Sequence, residues 1–290
     1  MHFNRFYPSL FSLILLVGCA GTGGEAVIEK RAGIEKRIIS TAPSFAETIY
    51  FLGLEDDVVA VSEFCYFPEK FKSLPKIGGL YDPNLELMLS LKPDYIIALP
   101  SLSSAINEVD YLKDKMIVLQ NETTLDILNG IDSLGHLFGR EAEADSIVAE
   151  LKNVLLPSFA GDTLSVMLVV SRKPGSLEDI YIAGGETYLS EFLNASGFRN
   201  IFNNTPTHYM RINLEVLLQK QPDVIIETEM VEADTAFWQI KYEQWDALPT
   251  LKAFKNRKIY RLKASYTHIP GIRVFALKKY FDEIYQDSRK

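Results

Sequence analysis

The chain has 290 residues and carries 38 acidic against 30 basic side chains, for a formal net charge of −8. Both signs are interspersed and no basic stripe is present, which argues against a nucleic acid as partner. The length suffices for two lobes of ordinary size.

The N-terminus has the pattern of a bacterial lipoprotein signal. Arg5 precedes an apolar run at residues 11–17, which ends shortly before Cys19. Because a membrane-spanning helix needs about 20 apolar residues, this shorter run predicts a cleaved export signal over residues 1–18. The mature chain is expected to begin at Cys19, whose thiol carries the lipid, and residues 19–35 form a flexible tether. The predicted location is the periplasm, with the lipid holding the protein on the membrane.

The residues that follow alternate strands and helices, which predicts an α/β lobe with mostly parallel strands at residues 36–124. A helix is expected at 45–52, and Ser44 with Glu47 has the spacing of a capping box at its start. The predicted strands are residues 37–40, 58–62, 95–99 and 116–119, and a further helix is predicted at 103–113.

One unit occurs twice, at residues 84–97 and again 129 residues later at 213–226. Each copy predicts a short helix that follows an asparagine, carries a glutamate in its first turn and leads through a Pro-Asp turn into a buried strand. The two glutamates are Glu86 and Glu215. Either one suits the helix dipole. A matched pair in matched lobes also suits a partner that is itself two-fold symmetric.

Linker helices are predicted at residues 125–160. The helical pattern runs from 124 to about 156 with a break near Gly139, and no strand or turn cluster interrupts it. We therefore expect a long, stiff connector between two lobes and little domain closure.

The C-terminal lobe is expected at residues 161–290. Gly184 and Gly185 connect a strand to a helix there, much as Pro43 and Ser44 do in the first lobe. Two helix N-termini should thus face one cleft, where open α/β sheets bind their ligands. Further predicted elements are strands at 164–170, 181–183, 224–226 and 259–262, helices at 186–195 and 271–285, and a short helix containing Trp238 and Trp245.

Several short motifs occur in a fixed order between residues 36 and 287. They are Ile38 to Ser44 with Glu47, Gly78-Gly79 ahead of Asn84-Leu85-Glu86, Lys92-Pro93-Asp94, Gly184-Gly185, Gly197 with Asn200-Ile201-Phe202, Leu214-Glu215 with Pro222-Asp223, and Pro270 to Arg273. In this order they resemble the substrate-binding proteins of ATP-driven importers for cobalamin, haem and ferric siderophores. The resemblance is to the helical-backbone class III, and is closest to its cobalamin-binding members.

The resemblance implies an α/β fold with two Rossmann-like βα lobes, joined by a single long rigid helix, with the ligand cleft between them. It implies a monomer that captures cobalamin or a related corrinoid and delivers it to an inner-membrane ABC permease dimer with its ATPase subunits. A ferric siderophore or haem is the alternative ligand. No cofactor or resident metal is implied.

In this class one glutamate on each lobe docks into arginine pockets of the permease, and by position these are Glu86 and Glu215. A sensory or surface-capture lipoprotein that uses the same fold without docking to a permease is another hypothesis, and the glutamate pair argues against it. An enzyme is disfavoured, because the sequence contains no Gly-x-Ser-x-Gly elbow, no phosphate-binding loop and no paired histidine helix. Asp94 and Asp223 are expected to shape the Pro-Asp turns.

Aromatic residues are the first candidates for the cleft. Tyr81 lies five residues before Glu86, and Tyr209 lies six before Glu215. Aromatic faces suit a large flat macrocycle, and covering the lobe edge is the alternative role for both tyrosines and for Tyr66. The predicted ligand-binding set is Pro43, Ser44, Tyr66, Tyr81, Gly184, Gly185, Tyr209, Arg211 and His268.

The polar candidates leave the ligand open. Arg211 suits a propionate, phosphate or amide side group. His208 and His268 leave open the alternative of a haem-binding protein in which a histidine ligates the iron. No motif resembles a zinc site. Arg273 is expected to be structural.

With Cys19 lipidated, Cys65 has no disulfide partner and is expected to be a buried apolar residue, with metal ligation as the remote alternative.

Overall fold

The computed structural model describes residues 36–79, 82–205, 207–229, 236–239 and 244–290. Residues 36–290 form one unit, in which two sheets are joined by a pair of helices. We call residues 36–119 the N-terminal lobe and residues 164–290 the C-terminal lobe. The export signal, the lipidated Cys19 and the tether lie outside the described residues. Within the described part of the chain, no helix combines the length and the apolar character needed to cross a membrane.

The N-terminal lobe is built on a four-stranded parallel sheet with the strand order β2-β1-β3-β4. Its strands are β1 (Ile38–Ser40), β2 (Val58–Val61), β3 (Tyr95–Ala98) and β4 (Met116–Val118). Ile38 and Ile39 of the inner strand β1 are fully buried in two different clusters of the core. A parallel sheet covered on both faces requires such continuous apolar strands, so the predicted α/β lobe is confirmed.

Short helices cover this sheet. They are α1 (Pro43–Phe51), α2 (Leu85–Ser90), α3 (Pro100–Ile106) and α4 (Asp110–Lys113), with a 3-10 helix at Glu69–Ser73. The predicted helix at 103–113 is thus two helices. The predicted capping box of α1 is wrong, because Ala42 is the N-cap residue and makes no side-chain cap. Glu47 instead bonds to Arg273 in the C-terminal lobe.

The connector consists of α5 (Thr124–Phe138) and α6 (Glu141–Val154) in succession. Gly139 ends α5 in the left-handed conformation, with φ at +68°, which costs glycine little. The break therefore falls at the predicted residue, and the connector is two helices rather than one continuous helix. α6 packs tightly on the end of α5, since a Cβ added at Gly135 would lie 2.4 Å from the Ala144 Cβ.

The C-terminal lobe contains a larger, mixed sheet. Its strands are β5 (Leu164–Ser171), β6 (Ile180–Ala183), β7 (Phe198–Asn200), β8 (Tyr209–Ile212), β9 (Val224–Glu229), β10 (Ala236–Gln239) and β11 (Ile259–Lys263). The order is β10-β11-β9-β5-β6-β8, with β7 beside β5. β5, β7, β9 and β11 are parallel, whereas β6, β8 and β10 pair antiparallel with a neighbour. β6, the strand that leads into Gly184, is thus antiparallel to its neighbour β5, whereas β1 is parallel to both of its neighbours.

The helices of this lobe are α7 (Tyr188–Ala195), α8 (Leu214–Lys220), α9 (Lys252–Lys255) and α10 (Leu277–Ser288), with 3-10 helices at Trp245–Ala247 and Ile272–Ala276. The helix predicted to contain Trp238 and Trp245 does not form. Trp238 lies in β10, which pairs with β11. Trp245 is buried, and its indole N–H donates to Glu227 at 2.9 Å.

The two copies of the repeat make equivalent turns. The Asp94 carboxylate accepts the backbone N–H of Arg37 at 2.9 Å, and the Asp223 carboxylate accepts that of Ser165 at 2.8 Å. Each aspartate thus joins its Pro-Asp turn to the first strand of its own lobe. This geometry agrees with the turn-shaping role expected from the sequence.

Candidate functional site

A cavity of about 370 Å³ lies between the lobes, within the range of small-molecule sites. It is lined by Ala42, Pro43, Ser44, Leu99, Asn121, Glu122, Val170, Tyr188, Leu189, Tyr209, His268, Ile269 and Pro270. The first turns of α1 and α7 face it from the two lobes. The carboxyl ends of β3 and β5 lie beside it, as expected for an open α/β sheet.

Pro43 and Ser44 form the wall from the N-terminal lobe. Pro43 begins α1, where its missing N–H costs no helical hydrogen bond. The Ser44 hydroxyl accepts a hydrogen bond from the Asn121 amide at 3.0 Å, and both residues are buried. This bond orders the wall before any ligand arrives.

Two tyrosines form much of the opposite wall. The Tyr188 hydroxyl donates to the Thr267 carbonyl at 3.2 Å. Burial raises the pKa of Tyr188, and burial together with the nearby Glu122 carboxylate raises that of Tyr209. Both phenols therefore stay protonated at neutral pH. They present apolar ring faces with hydroxyl groups suited to hydrogen bonding. The raised pKa values of both phenols oppose the formation of a tyrosinate metal ligand here.

His268 is the nitrogen base of the cavity. Its Nε2 lies 3.0 Å from the Thr228 hydroxyl, and burial lowers its pKa to about 4. The imidazole is therefore neutral at pH 7. Where the residues are described, no three His, Cys, Asp or Glu side chains converge on a point that suits a metal ion. Cys65 is fully buried, and its thiol pKa is raised to about 11 by that burial.

Gly184 and Gly185 do not line the cavity. A Cβ added at Gly184 would lie 2.4 Å from the Thr207 carbonyl oxygen, and one at Gly185 would lie 2.0 Å from that of Asn203. The pair is therefore required where two backbone segments pass close to each other. It positions the start of α7 instead of presenting N–H groups to the cavity lining.

Three further predicted residues lie away from the lining or outside the described chain. Arg211 is exposed, with a guanidinium 3.1 Å from Asp179 and 5.5 Å from the Tyr181 ring centre. Tyr66 is 49 % exposed and does not line the cavity. Tyr81 lies outside the described residues.

Sequence reasoning missed three polar lining residues. Asn121 and Glu122 lie three and four residues after the end of β4, and Tyr188 is the first residue of α7. The signal was available, because the carboxyl ends of parallel strands and the following helix starts meet at one edge of the sheet. His208 flanks the site, with its Nδ1 3.9 Å from the Glu122 carboxylate.

The two docking candidates occupy matching helix starts. Asn84 accepts the N–H of Leu87, and Asn213 accepts that of Val216, each at 2.9 Å. Glu86 and Glu215 follow in the first turns of α2 and α8 and are exposed. Neither carboxylate pairs with a cation in the part of the chain that the structure describes, so both are available to an external partner.

Comparison with known proteins matches residues 38–266 to the model of the periplasmic binding protein family. This chain belongs to that family. The relatives of this periplasmic binding protein include the ABC transporter substrate-binding lipoprotein YvrC of Bacillus subtilis. The two are 28 % identical over 88 % of this chain and 82 % of YvrC. A vitamin B12-binding protein of Vibrio cholerae is 30 % identical over 82 % of this chain and 84 % of its own length.

Solved structures agree with the fold of this periplasmic binding protein. The periplasmic vitamin B12-binding protein of Vibrio cholerae superimposes with a TM-score of 0.70 at 25 % identity, over 88 % of this chain and 98 % of that one. A periplasmic haem-binding protein of the same species has a TM-score of 0.70 at 19 % identity, over 87 % and 98 %. The two-lobed class III fold is thus confirmed. The chain is a substrate-binding protein of an ABC transporter and belongs to a transport family that acts outside the cytoplasm.

We expect His268 to make this periplasmic binding protein less stable in mild acid. Its folded pKa of about 4 lies below the ordinary value of 6.5, so the unfolded chain takes up this proton first as the pH falls. The contribution to stability is therefore complete above pH 6.5 and is lost toward pH 4, with an upper bound of about 3 kcal/mol.

Urea unfolding of the wild type and His268→Gln at pH 7, 5.5 and 4.5 measures this effect. The wild type should lose more of its free energy of unfolding than the variant. His136→Gln is the control, because His136 is exposed on α5 and its pKa is raised by the hydrogen bond to the Asp132 carbonyl and by the Asp132 charge, so its replacement should not reduce the loss of stability in acid. Identical profiles for the wild type and His268→Gln would contradict the expectation.

Proposed function

We propose that this periplasmic binding protein is a lipid-anchored monomer that captures cobalamin or a related corrinoid and delivers it to an inner-membrane ABC importer. One observation carries the choice of ligand. The described residues that line the cavity include one carboxylate, Glu122, but no lysine or arginine.

The charge of the lining separates the ligand classes. Ferric catecholates are anions and haem carries two propionates, and both gain from a cationic side chain in the site. A corrinoid is ringed by neutral amides, which need hydrogen-bonding groups. Asn121, Ser44 and the Tyr209 hydroxyl are of that kind and lie among apolar residues. Arg211, the cation expected from the sequence, pairs with Asp179 outside the lining.

A corrinoid is larger than this cavity and would extend past its rim. Tyr209 would cover the enclosed part of the ligand with its ring. Tyr66, exposed on the loop after β2, is a candidate for the outer part. Tyr81 stays a predicted contact on the basis of the resemblance alone.

Haem is the second candidate, and His268 supports it. A neutral, buried imidazole in the cavity lining is suited to ligate an iron. The raised pKa of Tyr209 favours histidine over tyrosine in that role.

Delivery would rest on Glu86 and Glu215, which meet basic pockets on the two subunits of the permease. Anchoring would rest on the lipid at Cys19, which agrees with the description of YvrC as a lipoprotein. The protein performs no reaction on its ligand and needs no cofactor. Its partners are the chelate, the permease dimer with its ATPase subunits, and the membrane.

Calorimetric titration of the mature domain without its anchor tests the ligand, with cyanocobalamin, haemin and a ferric catecholate as probes. We expect one-to-one binding of cyanocobalamin in preference to the others. Tyr209→Ala should weaken that binding at least about tenfold, equivalent to about 1.4 kcal/mol, whereas Tyr209→Phe, which keeps the ring and loses only the hydroxyl, should lose less. Haemin binding with a Soret shift that His268→Ala removes would favour the second candidate. Absence of cyanocobalamin binding would contradict the first candidate, a corrinoid-binding protein.

A further inference from the structure

An ion pair joins the two lobes beside the cavity. Glu47 belongs to α1 of the N-terminal lobe, and Arg273 belongs to the 3-10 helix Ile272–Ala276 of the C-terminal lobe. The Arg273 Nε and Nη2 lie 2.7 and 2.6 Å from the Glu47 Oε1, and its backbone N–H donates to Oε2 at 3.3 Å. The Glu47 side chain is 1 % exposed and that of Arg273 is 13 % exposed.

The surroundings of the pair also come from both lobes. The Arg273 guanidinium carbon lies 4.0 Å from the centre of the Phe67 ring and 5.4 Å from that of Tyr266, one aromatic from each lobe. Gly271 brings the C-terminal backbone against α1, because a Cβ added there would lie 2.6 Å from Glu47 Oε2 and 3.2 Å from the Ser44 Cα. The carboxylate and the guanidinium are thus enclosed at the contact between lobes.

The pair is continuous with both cavity walls. Ser44 lies one helical turn before Glu47 on α1, and Pro270 lies three residues before Arg273. Both Ser44 and Pro270 line the cavity. We propose that Glu47 and Arg273 are positioning residues that clasp the lobes together and set the width of the ligand cleft.

The physical basis is the cost of separating a buried pair. Charges enclosed at a contact are tolerated only when each keeps its partner. A small movement of one lobe relative to the other stretches the bonds between Glu47 and Arg273 without admitting water, and the pair therefore opposes it. A wide opening of the cleft must hydrate both charged groups at once. The clasp would hold the cleft at one width before a ligand binds, which reduces the ordering cost of capture. This inference does not depend on the identity of the ligand.

Pulsed dipolar spectroscopy on the ligand-free mature domain measures the distance between lobes. Spin labels at Ser104→Cys and Asn256→Cys occupy exposed positions on the N- and C-terminal lobes. Cys65 should stay unlabelled, because it is fully buried and its thiol pKa is raised to about 11. The test variant is Glu47→Gln with Arg273→Met, which removes both charges and leaves neither one unpaired.

The matched control removes both charges of an ion pair within one lobe. Lys278→Met with Asp282→Asn removes a pair whose Nζ to Oδ1 distance is 3.0 Å, and both partners belong to α10 of the C-terminal lobe. The clasp variant should give a distance distribution about twofold broader than the wild type or more, and the control should keep the wild-type width even where it lowers stability.

Arg273→Lys is the second variant, since it keeps the charge but loses the planar fork and its stacking. It should give an intermediate width. A wild-type width in the folded clasp variant overturns the proposal. If the clasp variant does not fold, a wild-type width in Arg273→Lys overturns it. Because no ligand is added, failure here is distinct from failure of the proposed function, which the titrations report.

Discussion

Reversing the charge of both Glu86 and Glu215 to lysine is expected to abolish uptake of the ligand while its affinity for the isolated protein stays within about twofold of the wild type. Both carboxylates are exposed in the first turns of capped helices, outside the cavity lining. Lysine at these sites would face the basic pockets proposed on the permease. Like charges brought together at an interface cost several kcal/mol, enough for a hundredfold loss of productive docking.

Uptake of labelled ligand into cells or proteoliposomes measures the effect, alongside calorimetry on the purified variant. Each single reversal should give a partial loss. The control is Glu108→Lys with Glu150→Lys, which changes the net charge equally at two other exposed glutamates. Normal uptake by the Glu86 and Glu215 double variant would contradict the docking assignment and leave the surface-capture hypothesis in place.

Replacing Arg273 by alanine is expected to lower the free energy of unfolding by about 3–5 kcal/mol. The Glu47 side chain is 1 % exposed, and its charge would lose both guanidinium bonds. Burial already raises the pKa of this carboxyl, an effect that Arg273 opposes. Without the guanidinium, the protein must either bury an uncompensated charge or bind a proton at Glu47.

Urea denaturation measures the free energy of unfolding of the wild type and of both variants. The values are compared directly when the m value is the same in each protein. Glu47→Gln with Arg273→Met should lose less than half as much free energy as Arg273→Ala, because neither partner is left charged. Equal losses in the two variants would show that packing around the arginine stem, and not the orphaned charge, determines the cost.

The features that the sequence predicted correctly depend on residues near one another in the chain. Asn84 and Asn213 cap α2 and α8, the glutamates follow in the first turns, and Gly139 breaks the connector. Caps, turns and apolar periodicity are set within a few residues, so the helices, turns and strands they specify can be predicted without knowing the fold.

The errors share the opposite origin. Ser44 and Glu47 have the local spacing of a capping box, yet Glu47 finds its partner 226 residues away. Trp238 was placed in a helix with Trp245, but its strand pairs with β11. Gly185, predicted to bind the ligand, is absent from the cavity lining and is required where Asn203 approaches from another segment. In each case a contact distant in the chain decides the role.

The two-lobed α/β fold and the repeated, glutamate-bearing helix start in each lobe could be predicted from the sequence, because hydrophobic period, caps and turn residues act locally. Which side chains line the cleft and which join the lobes depends on how the chain packs. Asn121 and Tyr188 line the same cavity, Arg211 is held outside it, and Glu47 meets Arg273 at the contact between the lobes beside it. The burial and charge pairing that govern these roles exist only after distant segments have packed.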